Sequence, residues 1–255
     1  MQAIILAGGK GLRLTEETIL KPKPLVEIGS KPIMWHIMKI YSYYGVNDFI
    51  ICAGYKGNMI KSYFSNFLID NSDIEIDLKS NSISYLKRSK NQWKVKIIDT
   101  GENTMTGGRL KSIESYLDET FFLTYGDGLS SINIKETLKF HKKHKKILTM
   151  TVIKQPGRYG SVKLGKNNIV EKFTEKPNGE DGWINGGFFV MNKKILNYID
   201  GDKTLEKEPL IKLSKKREVM SYKHNGFWYS MDSLRDKIFL ENEWKKRKPG
   251  WKIWK

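Results

Sequence analysis

The sequence predicts an α/β protein: a doubly wound, mostly parallel sheet with an inserted β-rich region. Three observations carry that expectation. Short apolar runs end in glycines, helical patterns follow them, and two stretches break the alternation. QAIILA (2–7) is the first run, apolar throughout as a strand covered on both faces must be. Ser30-Lys31-Pro32 predicts a helix start, with Ser30 as the cap and Pro32 in the first turn. Ile33, Ile37, Ile40, Tyr41 and Tyr44 make its buried stripe, and Gly45 stops it. DFIICAG (48–54) is the second strand, followed by a helix over about 58–68. A strand at 121–125 runs into Gly126-Asp127-Gly128, a helix covers about 133–144, and a strand follows at 147–152.

The two irregular stretches differ in kind. Residues 73–98 (IEIDL, SISYLK, WKVKIID) alternate with period two, which predicts antiparallel strands beside the main sheet. Residues 157–191 set glycines among β-branched residues, which predicts hairpins laid over one edge as a substrate-binding subdomain. The tail from Ser233 to Lys246 reads as a helix. There is no internal repeat or linker, so the expectation is a single domain over 1–255.

Composition removes several classes. One cysteine, Cys52, excludes an intramolecular disulfide framework, and without CxxC or HExxH spacing a structural zinc site is not expected. No apolar run reaches the roughly 18 residues of a membrane span. The start, MQAIILAGG, lacks the charged lead of a signal peptide, so a cytoplasmic protein without a membrane partner is expected. The charge is unusual: 45 Lys and Arg against 28 acids give +17. Residues up to Asp127 account for +2 of this and the remainder for +15. FHKKHKK (140–146), SKKR (214–217) and WKKRKPGWKIWK (244–255) hold the excess. Solvated helix faces explain such runs, and no RNP-like strand or zinc-finger spacing accompanies them, so nucleic acid is not the expected partner. A basic nucleic-acid-binding protein stays the rival of another class.

Chemistry concentrates where predicted strands end. The first strand runs into Leu6-Ala7-Gly8-Gly9-Lys10-Gly11-Leu12-Arg13, at the carboxyl edge where parallel sheets bind ligands. Glycines there let backbone N–H groups approach phosphate oxygens, and Arg13 adds a fork of donors. The spacing is neither GxGxxG nor a Walker loop. In Lys21-Pro22-Lys23-Pro24, a proline on either side holds Lys23 out of a helix, presenting its ammonium beside that loop. Asp127, between glycines at a strand end, suits Mg²⁺ on a nucleotide, and Asp232 is a second candidate that reads equally well as the N-cap of the last helix. The four histidines have no metal spacing.

LAGGKGLRL, KPKPLVEI, YGDG, PGRYG, EKP and INGGFF occur in an order and spacing that resemble the sugar-phosphate nucleotidylyltransferases across essentially the whole chain. DTGENTMTGGRLKS (99–112), WINGGFF (183–189) and GFWYSMDSLRD (226–236) resemble the cytidylyl branch in particular. The resemblance implies a Rossmann-like core over about 1–155, a β-rich sugar-binding region over about 156–232 and a C-terminal helix over about 233–247. It implies catalytic roles for Arg13, Lys23 and Asp127, and a nucleotide site of Leu6, Ala7, Gly8, Gly9, Lys10, Gly11, Leu12, Arg13, Lys23, Thr104, Arg109 and Gly126. Tyr159, Lys176, Asn185 and Gly186 would meet the sugar phosphate, while Asp127 and Asp232 would share Mg²⁺. The implied reaction is CTP plus α-D-glucose 1-phosphate giving CDP-glucose and pyrophosphate, with UTP or dTTP as the alternative donor. A homo-oligomer, a hexamer by resemblance, and a place in surface-polysaccharide precursor synthesis are implied too. One departure is Leu12, where many relatives place Thr or Ser. For base choice, Asn103 to Arg109 is the expected reader, with Thr104 and Arg109 foremost.

Overall fold

The computed structural model describes residues 1–87, 91–154, 161–164, 170–174 and 182–254. Among these, seven strands form the main sheet: β1 (Gln2–Ala7), β2 (Asp48–Ala53), β3 (Lys94–Asp99), β4 (Thr120–Tyr125), β5 (Leu148–Ile153), β6 (Ile184–Asn192) and β7 (Val219–His224). They lie in the order β7-β5-β6-β4-β1-β2-β3. All run the same way except β6, which is antiparallel to both β5 and β4. The main helices are α1 (Ile33–Tyr43), α2 (Gly57–Ser65), α3 (Thr106–Ser112), α4 (Ile134–His144), α5 (Glu208–Lys215) and α6 (Leu234–Trp244).

β1 explains the layering. Ala3, Ile5 and Ala7 enter one core with Ile37, Tyr41 and Phe49, while Ile4 and Leu6 enter another with Leu110, Leu196 and Leu213. Alternate residues of one strand thus feed two apolar layers, and a run without polar breaks is the result. The first core also anchors the C-terminal tail: Trp35, Trp244, Trp251 and Trp254 surround the buried His36 ring.

The structure corrects four expectations. Ser30 does not cap α1. Gly29 and Ser30 both have positive φ (59° and 63°) and close a two-residue turn between the short strands Glu27–Ile28 and Lys31–Pro32; Pro32 is the residue before the helix. WKVKIID contributes β3, which pairs parallel with β2 at the sheet edge, and the separate antiparallel hairpin is Asp73–Asp77 with Ser82–Lys87. Residues 184–191 are not part of a hairpin over one edge: β6 is an interior strand of the main sheet. Asp232 does not cap the last helix either, because Ser233 does so with Asp236 in a capping box. Of 157–183, the described strands are Ser161–Leu164 and Val170–Thr174, an antiparallel pair outside the main sheet.

One consequence of β6 running backwards bears on the site. Its start, Ile184 to Gly187, comes to the same edge as the ends of β1, β2, β3 and β4. Its end, Asn192, comes to the opposite edge beside the starts of β5 and β7.

Candidate active site

A cavity of about 930 Å³ opens at the carboxyl edge, walled by the glycine loop after β1, the segment 102–109, the end of β4, the start of β6 and residues 228–232. The glycine loop is cross-linked from below. Arg109, 4% exposed, donates from Nη1 to Ala53 O (3.1 Å), Thr100 Oγ1 (2.7 Å) and Gly101 O (2.6 Å), and from Nη2 to Gly8 O (3.0 Å) and Glu102 O (3.1 Å). A Cβ at Gly8 would lie 2.0 Å from Arg109 Nη1, so only glycine allows this approach. Gly11 takes φ +64° to turn the loop, and Gly9 faces open space. Arg109 is therefore a brace under the loop, with its donors committed to protein acceptors; Thr104 and the exposed Met105 face the cavity.

Lys23 stands in a one-turn 3₁₀ helix entered through extended Pro22 (φ −65°, ψ 146°). It is 9% exposed, and Nζ donates to Asp127 Oδ2 at 2.7 Å and Asp232 Oδ1 at 3.0 Å. Pro24 packs on Gly126 so closely that a Cβ there would sit 2.9 Å from its ring. The two aspartates, 105 positions apart, meet because Gly128–Ser130 pairs antiparallel with Trp228–Ser230 and Met231 N–H donates to Asp127 O. Arg13 Nη2 reaches Asp232 Oδ1 at 2.9 Å with its side chain largely exposed. Burial opposes ionisation of Asp232, but Lys23, the Ser230 hydroxyl and Arg13 outweigh it and hold the carboxyl below its ordinary value.

The far wall holds residues that sequence reasoning missed. Tyr125 donates to Glu206, whose other oxygen accepts from Thr106 Oγ1 at 2.6 Å. Burial, then Glu206, drives the Tyr125 pKa upward, so the phenol stays a donor. Residues 202–206 are held to α3: Asp202 Oδ1 accepts from Met105 N–H at 2.8 Å and Lys203 O from Gly107 N–H at 2.9 Å. Trp228 Nε1 donates to Gly186 O at 2.7 Å, which draws the β6 start against the aspartate hairpin. In TLEKEPL, Glu206 looks like any charged residue before a helix; its role is set by contacts about 80 to 100 positions away.

The predicted residues Leu6 to Arg13, Lys23, Thr104, Arg109, Gly126, Asp127, Asn185, Gly186 and Asp232 all line this one cavity. Leu12 does so with its side chain 74% exposed. Asn185 Oδ1 accepts from Gly187 N–H at 2.9 Å. Tyr159 and Lys176 lie outside the described residues. Loop amides, an open guanidinium and a buried ammonium held by two carboxylates form a site for aligning and neutralising phosphates.

The chain belongs to the nucleotidyl transferase family, whose model matches residues 2–231. It is 50% identical to the glucose-1-phosphate cytidylyltransferase of Salmonella typhimurium over 257 aligned positions, 100% of both chains. It is 32% identical to a mannose-1-phosphate guanyltransferase of Aspergillus oryzae, covering 94% of this chain and 62% of that one. The fold is shared with the crystal structure of HddC from Yersinia pseudotuberculosis (TM-score 0.67, 23% identity, 96% of this chain and 99% of that one).

Proposed function

We propose that this chain transfers a cytidylyl group from CTP to α-D-glucose 1-phosphate, forming CDP-glucose and releasing pyrophosphate. The observation that carries this reading is the convergence of Lys23, Asp127, Asp232 and Arg13 beside a glycine loop. A phosphate oxygen of the sugar attacks the α-phosphorus, the bond to the β-phosphate oxygen breaks, and pyrophosphate leaves with that electron pair. The attacking phosphate is already anionic at neutral pH, so no general base is required. The obstacle is repulsion between two anions, and fixed cations together with alignment overcome it.

Lys23 and Arg13 would supply those cations, and the Gly8-to-Gly11 amides would hold the phosphate chain. Asp127 and Asp232 would hold Mg²⁺: two carboxylates from separate strand ends already enclose a cation, the Lys23 ammonium, and such a pair suits a hard ion shared with phosphate oxygens. The ion would neutralise charge on those oxygens. Lys23 is then free to move from the aspartates to phosphate. Thr104 and the backbone around it would read the cytosine edge, Asn185 would meet a sugar hydroxyl, and Tyr159 and Lys176 the sugar phosphate.

We place the enzyme in the cytoplasm; no described helix is long and apolar enough to cross a membrane. It would work as a homo-oligomer. The hairpin Asp73–Lys87 pairs Ile74 with Tyr85 and Ile76 with Ile83 on one face, leaving Ile76 54% and Ile83 49% exposed; a second copy would cover that face. Light scattering on Ile76→Lys/Ile83→Lys should give a smaller particle. The central test is pyrophosphate release with CTP across a panel of sugar 1-phosphates, then with UTP and dTTP at equal concentration. Faster release with UTP or dTTP would move the reading to the alternative donor.

A further inference from the structure

Outside the active-site cavity lie two further cavities of about 590 and 900 Å³, the first at the amino edge of the sheet beside Ile147 and Asn192 and the second extending from there to Gly201, with Tyr198 and Lys216 in the walls of both. Lys145, Lys146 and Lys194 line the first, and Lys111, Lys212 and Lys215 the second. We propose that this double cavity is a second anion site, for a compact linear polyphosphate of three or more phosphates.

Charge pairing is the first reason. Lys146 has Glu218 at 3.2 Å, Lys212 has Glu208 at 2.6 Å and Lys111 has Glu114 at 2.9 Å. Lys145 and Lys194 in the first cavity and Lys215 in the second have no carboxylate partner among the described residues. Unpaired like charges around a concave surface repel one another, and a bound polyanion turns that repulsion into attraction. Part of the +15 balance beyond Asp127 thereby acquires a location.

Backbone conformation is the second. Lys145, at the end of α4, is held at φ +57°, and Arg217, between Lys216 and Glu218, at φ +56°. A left-handed conformation costs a non-glycine residue about 1 kcal/mol or more. At both turns beside the hollow the chain places a cation where glycine is the cheaper residue.

Wall chemistry selects the ligand. The lysines are point charges without the planar fork that reads a single phosphate. The one aromatic ring in the walls, Tyr198, has Lys216 Nζ 5.0 Å from its centroid, so that face is not free to stack on a base. Lysine-lined hollows favour a chain that enters them over a flat bilayer surface. The site also adjoins the catalytic region: the second cavity reaches Gly201, one residue before the Asp202 carboxylate that binds the first turn of α3.

The test is calorimetric titration with inorganic tripolyphosphate, using the full chain carrying Lys23→Ala and Arg13→Ala to weaken binding at the active site. One equivalent per chain should bind, at least tenfold more tightly than inorganic phosphate. Adding Lys194→Gln and Lys216→Gln should weaken it tenfold or more, and Lys194→Arg with Lys216→Arg should restore it. Circular dichroism verifies the fold of each variant. Absence of binding in the first background, or binding indifferent to Lys194 and Lys216, overturns the site. So does equal affinity for phosphate and tripolyphosphate. Sedimentation with phosphatidylserine vesicles through the same lysines, without tripolyphosphate binding, would overturn it in favour of a membrane surface.

Discussion

At the carboxyl edge of the sheet, Lys23 is 9% exposed and touches two carboxylates; at the amino edge, Lys145 and Lys194 are exposed with no carboxylate partner among the described residues. The same side chain is a fixed part of a site in one place and a loose field in the other. Two prolines and an antiparallel pairing of short strands make the difference, by fixing where the ammonium and its partners sit. Removing a fixed cation from a site that handles phosphates sacrifices an interaction strongest in the transition state. Lys23→Ala should therefore lower kcat/KM by about 10³-fold, while Lys194→Ala should change it less than twofold in the same pyrophosphate-release assay. Comparable losses for both would erase the distinction between the edges.

The aspartates sharpen the contrast, because their value depends on being together. Asp127→Asn and Asp232→Asn should each lower kcat on the order of 10²-fold and raise the Mg²⁺ concentration needed for half-maximal rate. The double variant should be little worse than either, since both changes would empty the one proposed metal site. Multiplicative losses with unchanged Mg²⁺ dependence would mean that the pair serves only to hold Lys23.

Much of this edge was legible in the residues, and the failures have physical causes. Strands covered on both faces leave an unbroken apolar run, so β1, β2 and β4 could be read directly. Periodicity carries neither direction nor position, however: the pattern predicts β3 antiparallel beside the main sheet where it runs parallel within it, and β6 in an edge hairpin where it lies inside the sheet. Ser30 is a cap by residue type, but the two-residue turn with Gly29 determines its conformation. Glu206 was invisible because no local pattern marks a carboxylate whose partners are Thr106 and Tyr125. Arg109 was legible as a site residue, but not as a brace beneath the glycine loop.

That last distinction is measurable. Arg109→Ala removes five hydrogen bonds to buried or partly buried acceptors and should destabilise the fold by about 3 kcal/mol, read as a lowered midpoint in urea. It should raise KM for CTP and UTP together, leaving their ratio unchanged, because the guanidinium's donors are committed to protein acceptors. A changed ratio would return Arg109 to the role of base reader. Thr104→Ala is the variant expected to shift that ratio.

Acid should reveal a cost buried away from either edge. His36 Nε2–H donates to Ile28 O at 2.8 Å and Nδ1 accepts from Trp251 Nε1–H at 3.3 Å, so the ring is neutral by construction. Burial depresses its pKa to about 4, and burial with the neighbouring His144 does the same to His141. A histidine whose folded pKa lies below its unfolded value of 6.5 binds its proton more readily when unfolded. Stability is then full above pH 6.5 and falls as the pH drops toward 4, by on the order of 3 kcal/mol for His36 alone. Thermal unfolding between pH 7.5 and 4.5 should show that slope, and His36→Gln should flatten it. A slope unchanged in the variant assigns the acid sensitivity to other groups.

The smallest effect concerns Leu12, where the glycine loop meets the cavity mouth. Its side chain is 74% exposed, so it contributes little burial and its replacement should leave the fold unmoved. In the proposed site the loop would hold phosphates through backbone amides, and those donors are present whatever the side chain at this position. Leu12→Thr adds one hydroxyl that can reach a phosphate oxygen, in competition with water. A hydrogen bond formed at an exposed site is worth about 0.5–1.5 kcal/mol, or roughly two- to tenfold in affinity. KM for CTP should fall by that factor at most, with kcat unchanged and KM for glucose 1-phosphate unmoved. A change in kcat would mean that the side chain at position 12 contacts the phosphates as they react, and that the loop's chemistry is more than its backbone.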